Sequence, residues 1–222
     1  MLGLFEHPYV DPEKAVKTVH SRKNQELSYR AAREGIVLLK NENHLLPLDK
    51  NVSSIAVIGP NASNEVNLLG DYIPKKLLYK NKSILEAIYE KVPSSTRVVH
   101  VQGCDILDTK TNTIKKAVKA AKRASVAIVV IGEDERTSGE SDDSHDLELT
   151  GLQNQLVQAV RETGTPTIVV LISGRPLAIP WIAQNVPAIV EAWMCGEKGA
   201  EAITDVLFGD YNPGGKLPVT FP

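Results

Sequence analysis

The chain has 222 residues, 42% of them hydrophobic and 23% charged, which suits one large globular domain or a domain carrying an arm. Its formal net charge of −2 provides no electrostatic reason to bind nucleic acid or an anionic membrane. No apolar run approaches the roughly 20 residues of a spanning helix, and 5% aromatic residues argue against an aromatic-lined sugar-binding sandwich.

Residues 1–20 carry Gly3, Pro8 and Pro12 without sustained periodicity, the pattern of an extended arm. They also lack the basic-then-apolar order of a secretory leader. Helical spacing begins at Asn24 and runs to Lys40, with Leu27, Ala31 and Val37 or Leu38 on one side. NENHLLPLD (41–49) follows as a turn and a short extended piece. A strand–helix alternation starts at IAVI (55–58), which ends in Gly59-Pro60. Ser83 is placed to cap a helix bearing Ile84, Leu85, Ile88 and Val92. Residues 98–101 form the next predicted strand, and Ile114, Ala117, Val118 and Ala121 share one face of an amphipathic helix.

VAIVVI (126–131) is a β-branched run of the kind buried on both faces of a parallel sheet. Leu152, Leu156, Val157 and Val160 mark a helix, TIVVLI (167–172) and 188–193 further strands, and Ala200, Ile203, Val206 and Leu207 a last helix. Alternation of this kind predicts an α/β fold: a three-layer α/β/α sandwich with a largely parallel sheet of five or six strands, preceded by an N-terminal arm and helix. Basic residues gather at 75–82 and 115–123, the second set on the polar face of its helix and so read as a solvated surface. Trp181 and Trp193 lie on or beside predicted strand and helix segments and read as core residues. Cys104 and Cys195 each adjoin a glycine and lack metal-ligand spacing. They favour buried or half-buried thiols in a reducing compartment, the cytoplasm.

Ligands of open α/β sheets bind at the carboxyl ends of strands. The loop after VAIVVI, GEDERTSGESDDSHDLEL, gathers Glu133, Asp134, Glu135, Glu140, Asp142, Asp143 and Asp146. It is far longer than the usual two to six residues, about the range for strand-to-helix connections. A solvated acidic loop, an oxygen-ligand site from Asp142, Asp143 and Asp146, and an acid/base carboxylate are the readings open to it. The metal spacing matches no calcium loop. IAVIGPNAS lacks the further glycines of a dinucleotide turn, and Pro60 removes a backbone N–H. Ser173-Gly174 is not the nucleophile elbow of a serine hydrolase.

Five segments in order resemble the second domain of the family 3 glycoside hydrolases, the β-glucosidase and β-xylosidase family. They are AAREGIVLLKNENHLLPL (31–48), IAVIGPNA (55–62), AIVVIGEDERTSGESDD (127–143), VVLISGRPLAI (169–179) and FGDYNPGGKLPVTFP (208–222). The resemblance implies a retaining mechanism with two carboxyl groups about 5–5.5 Å apart. The nucleophile is an Asp in a barrel domain, and the acid/base is a Glu on the loop after the third strand here. Glu140, in Ser-Gly-Glu-Ser, matches that Glu, flanked by small residues that let the backbone bend. Glu133 and Glu135 are the competing carboxylates.

Tyr72, in Gly-Asp-Tyr, matches the aromatic wall of the sugar subsite, with a packed surface tyrosine as the alternative. The implied partners are a β-linked glycoside and a family 3 barrel domain; no cofactor and no metal are implied. Many relatives carry an Arg where Ser144-His145 stand. GLFEHPYVDPEKA (3–15) resembles the linker after the barrel, so the chain is expected to begin where the barrel ends and to be inactive alone. Residues 1–50 are expected to form an interdomain arm, helix and connector, and 51–222 the sandwich. A non-catalytic carbohydrate-binding or interaction module is the alternative function.

Overall fold

The computed structural model describes residues 2–73, 79–107, 109, 113–142 and 144–222. Residues 74–78 of the first basic cluster and Asp143 of the acidic loop lie outside them. The helices are α1 (Pro12–Thr18), α2 (Arg22–Gly35), α3 (Ile84–Lys91), α4 (Ile114–Ala121), α5 (Gln153–Arg161), α6 (Pro180–Asn185) and α7 (Gly199–Leu207). The strands are β1 (Val37–Asn41), β2 (Ser54–Ile58), β3 (Arg97–Val101), β4 (Val126–Gly132), β5 (Thr167–Ile172) and β6 (Ala188–Glu191). They form one sheet in the order β1-β6-β5-β4-β2-β3. Strands β2 to β6 run parallel, and β1 pairs antiparallel with β6 at one edge.

The apolar runs are continuous because both faces of the sheet are covered. In β4, Val126, Ile128 and Val130 face one apolar set, which includes Ile84 and Ile88 of α3 and Ile203 and Val206 of α7. The alternate residues Ala127, Val129 and Ile131 face the other, with Ala117 of α4, Leu156 of α5 and Ile182 of α6. Period-two alternation thus sorts one strand's side chains into two cores, and the fold is the expected three-layer α/β/α sandwich. The exposed lysines of α4 lie opposite its buried Ile114, Ala117 and Ala121, as a solvated face requires.

Local chemistry sets the ends of several elements. Ser83 and Glu86 form a reciprocal capping box that starts α3. Gly132 ends β4 at φ 135°, where a Cβ would stand 1.9 Å from the Ile172 carbonyl oxygen. Only glycine fits there. Asp205 of α7 is buried and pairs with Lys91 of α3 at 2.7 Å. It also accepts the Tyr29 hydroxyl of α2. Burial, then that hydrogen bond, pushes the Tyr29 phenol up to about 12. One carboxylate therefore ties together the three helices of that layer.

Three elements differ from the sequence expectation. Residues 12–18 are helical, with the Asp11 carboxylate accepting the Glu13 and Lys14 N–H groups and Pro12 opening the helix. No residue of α1 is buried, so it carries no apolar periodicity to read. The helix expected to reach Lys40 stops at Gly35, and Val37–Asn41 joins the sheet as its antiparallel edge. Its burial is uneven, as on an edge strand, which hides the strand pattern. Pro180 opens the short α6, and Trp181 packs half-buried against the second core. Trp193 is half-buried too, edge-on to Phe221 at 5.9 Å between ring centroids.

Candidate active site

The chain runs from β2 outward to β3, then crosses back past β2 to β4. The order reverses between β2 and β4, and the carboxyl ends of strands at such a switch point are the usual ligand position in open α/β sheets. Tyr72 lies on the loop after β2, and Glu140 on the loop after β4.

The β4 loop begins as a rigid platform. Glu133 is buried at the strand end, accepts the Gly174 N–H at 3.0 Å and pairs with Arg175 Nε at 2.9 Å. Burial raises its carboxyl, against the lowering effects of the Gly174 N–H and Arg175. Asp134, also buried, takes the Arg136 backbone N–H at 2.9 Å and its guanidinium at 2.6 Å, while Arg136 reaches Asp105 at 2.5 Å. The Thr137 and Ser138 N–H groups both return to the Asp134 carbonyl. Arg175 donates to the Thr137 carbonyl from the neighbouring loop.

From this platform residues 139–142 make a tight turn, with the Asp142 N–H donating to the Gly139 carbonyl at 3.2 Å and Ser141 at φ 72°. Glu140 stands exposed on that turn. Its backbone N–H donates to Asp71 Oδ2 at 3.1 Å, and its Oε2 accepts the Tyr72 hydroxyl at 2.8 Å. A Cβ on Gly139 would meet the Asp71 carboxylate at 2.9 Å, so glycine permits the close approach of the two loops. Tyr72 is 84% exposed, and the bond to Glu140 holds its phenol above the ordinary value.

The two site residues named from the sequence thus touch, whereas Glu133 lies buried and ion-paired below them. Glu135 is exposed on the platform. Asp71 was missed: it sat within the quoted Gly-Asp-Tyr, but nothing local says that its carboxylate caps a loop 69 residues away. His145 pairs with Asp146 at 3.1 Å on the exposed far side of the loop. Among the described residues, no group of three or more His, Cys, Asp or Glu side chains is arranged to hold a metal ion. Nor is any helix among them long and apolar enough to cross a membrane.

Over its full length the chain is 40% identical to a β-xylosidase of Formosa agariphila, of which it spans 31%. It is 34% identical to a periplasmic β-glucosidase of Salmonella typhimurium, of which it spans 32%. A β-glucosidase structure from Erythrobacter marinus matches with a TM-score of 0.87 at 37% identity, over 98% of this chain and 32% of that one. A Listeria innocua β-glucosidase in complex with isofagomine matches with a TM-score of 0.90 at 28% identity, over 100% of this chain and 30% of the other. The chain therefore spans about a third of the length of these relatives. The sequence model described as the glycosyl hydrolase family 3 C-terminal domain matches residues 36–222, and the chain belongs to that family.

Proposed function

We propose that this domain supplies Glu140 as the general acid/base of a retaining β-glycosidase acting on β-glucosides or β-xylosides. The nucleophile comes from a family 3 barrel domain, on the same or a separate polypeptide. The observation that carries this reading is the mounting of Glu140. It is exposed at the switch point, its backbone fixed by Asp71 and one carboxyl oxygen held by Tyr72. Glu133, by contrast, is consumed by Arg175 and the Gly174 N–H.

The chemistry follows from that mounting. As the nucleophile attacks the anomeric carbon, protonated Glu140 gives its proton to the departing glycosidic oxygen. In the second step its carboxylate takes a proton from the water that releases the sugar. With Oε2 on the Tyr72 hydroxyl, Oε1 is the oxygen turned to the leaving group. The exposed Tyr72 ring offers an apolar face to a pyranose at the same place. An acid without a nucleophile cannot form the glycosyl-enzyme, so the chain alone is expected to hydrolyse no glycoside.

The test combines the chain with a folded family 3 barrel domain and measures hydrolysis of methyl and 2,4-dinitrophenyl β-D-xylosides and β-D-glucosides. Glu140→Gln is expected to lower kcat/KM for the methyl glycosides by about 10²–10⁴, the usual contribution of a positioned acid. Dinitrophenolate leaves without a proton, so its glycosylation step suffers far less. Equal, mild losses on both substrates refute the role of Glu140. A folded barrel that gains nothing from the chain leaves the non-catalytic module.

A further inference from the structure

We propose that Glu191 is a positioning residue for Glu140, acting through the Trp193–Met194 turn; this rests on the acid/base reading above. Glu191 is the last residue of β6 and is fully buried. Its Oε1 accepts the Trp193 backbone N–H at 2.8 Å and the Ser173 hydroxyl at 3.2 Å. Its Oε2 is buried without a hydrogen-bond partner among the described residues. A carboxyl group in that position costs stability that an apolar residue, continuing the strand, would not.

What the carboxyl group secures is the turn beyond the strand. Trp193 has φ 58°, a conformation unfavourable for a bulky side chain, and the bond from its N–H to Glu191 closes the turn that adopts it. That turn sets Met194. The Met194 sulfur lies 3.7 Å from where a side chain would begin on Gly70, and 3.7 Å from the same point on Gly174. Gly70 precedes Asp71 and Tyr72, the two residues that hold Glu140. Gly174 abuts Ser138, on the loop that carries Glu140, with the Ser138 hydroxyl 2.6 Å from its would-be Cβ.

The same segment holds the β2 loop from below, through the Gly196 N–H to the Leu68 carbonyl at 2.7 Å. Met194 therefore lies against Gly70 of the β2 loop and against Gly174, which in turn abuts the loop that carries Glu140. The ionisable groups around Glu191 are Glu133 at the end of β4, whose charge is opposed by Arg175, and Cys195 on the following turn. Burial, with Glu133 adding to it, pushes the Glu191 carboxyl up to about 8, so at neutral pH it is a neutral acid.

The experiment uses the chain combined with a family 3 barrel domain and compares methyl with 2,4-dinitrophenyl glycosides. Glu191→Ala is expected to lower kcat/KM about tenfold for the methyl glycoside, a fraction of what a positioned acid contributes. Activity on the dinitrophenyl glycoside stays within about twofold, because acid placement matters little there. Glu191→Gln, which keeps the acceptor oxygen, restores the wild-type ratio. Met194→Ala, which leaves Glu191 in place, reproduces the selective loss and serves if Glu191→Ala does not fold. Equal losses on both substrates, or a Gln variant as impaired as the Ala variant, overturn the inference. If Glu140→Gln itself shows no dependence on the leaving group, the acid/base reading has failed instead.

Discussion

Glu191 also makes the stability of this domain depend on pH in a way that one substitution isolates. Its carboxyl is pushed up to about 8 in the fold from an ordinary value of 4.5, chiefly by burial. A raised folded value contributes stability that is complete below the ordinary value and lost as pH rises toward the folded one. Between those limits the unfolded chain releases a proton that the folded chain retains. The loss amounts to about 1 kcal/mol at pH 5 and about 4 kcal/mol at pH 8, and then levels off.

Glu191→Gln removes the titration while keeping an acceptor for Trp193 and Ser173. Burying the amide NH2 adds an offset that is the same at every pH, so the slope carries the information. Urea unfolding of both proteins at pH 5, 6, 7 and 8 is expected to show the Gln variant gaining on the wild type by about 3 kcal/mol across the range. All other titrating groups, Glu133, Arg175 and Cys195 among them, are common to both proteins. A difference independent of pH, or a wild type that gains on the variant as pH rises, refutes the reasoning.

Three further outcomes follow from the geometry. Gly132→Ala places a methyl group against the Ile172 carbonyl at a backbone angle that alanine resists. A loss of about 3 kcal/mol or more, read as a large fall in Tm or as insoluble protein, is expected. Asp205→Ala strips one of the two carboxylate partners of Lys91, which keeps Asp210, and the acceptor of the Tyr29 hydroxyl, and urea unfolding is expected to show a loss of about 1–3 kcal/mol. Tyr72→Phe removes only an exposed hydroxyl, so stability changes by less than about 0.5 kcal/mol. With a barrel domain present, its kcat/KM is expected to fall several-fold for methyl glycosides and little for dinitrophenyl ones, since only Glu140 loses a partner.

The inner strands β2, β4, β5 and β6 were legible because each lies between two helical layers, and burial on both faces leaves an unbroken apolar run of strand length. VAIVVI and TIVVLI are the clearest cases. The start of α3 was legible through Ser83, since capping is a contact between residues three apart. α1 was hidden because it buries nothing. β1 was hidden because its membership in the sheet depends on pairing with β6, about 150 residues away. Glu191 did leave a trace, a lone acid closing the apolar run AIVEAW, but its partners come from the β5 loop and a turn of unusual conformation.

By itself the sequence determined the layers: which residues form the parallel strands, which helix faces are apolar, and that a long acidic loop leaves the third parallel strand. It also named Glu140 and Tyr72, on loops 68 residues apart, through segments that resemble one family. That these two side chains meet was decided only by the strand order. β4 crosses back to lie beside β2, which brings the loops that follow them together. Local propensity acts over a few residues, whereas the side on which a strand joins the sheet depends on how whole helices pack. The Tyr72–Glu140 contact, the Asp71 cap and the buried Glu191 beneath them are therefore properties of the assembled sheet.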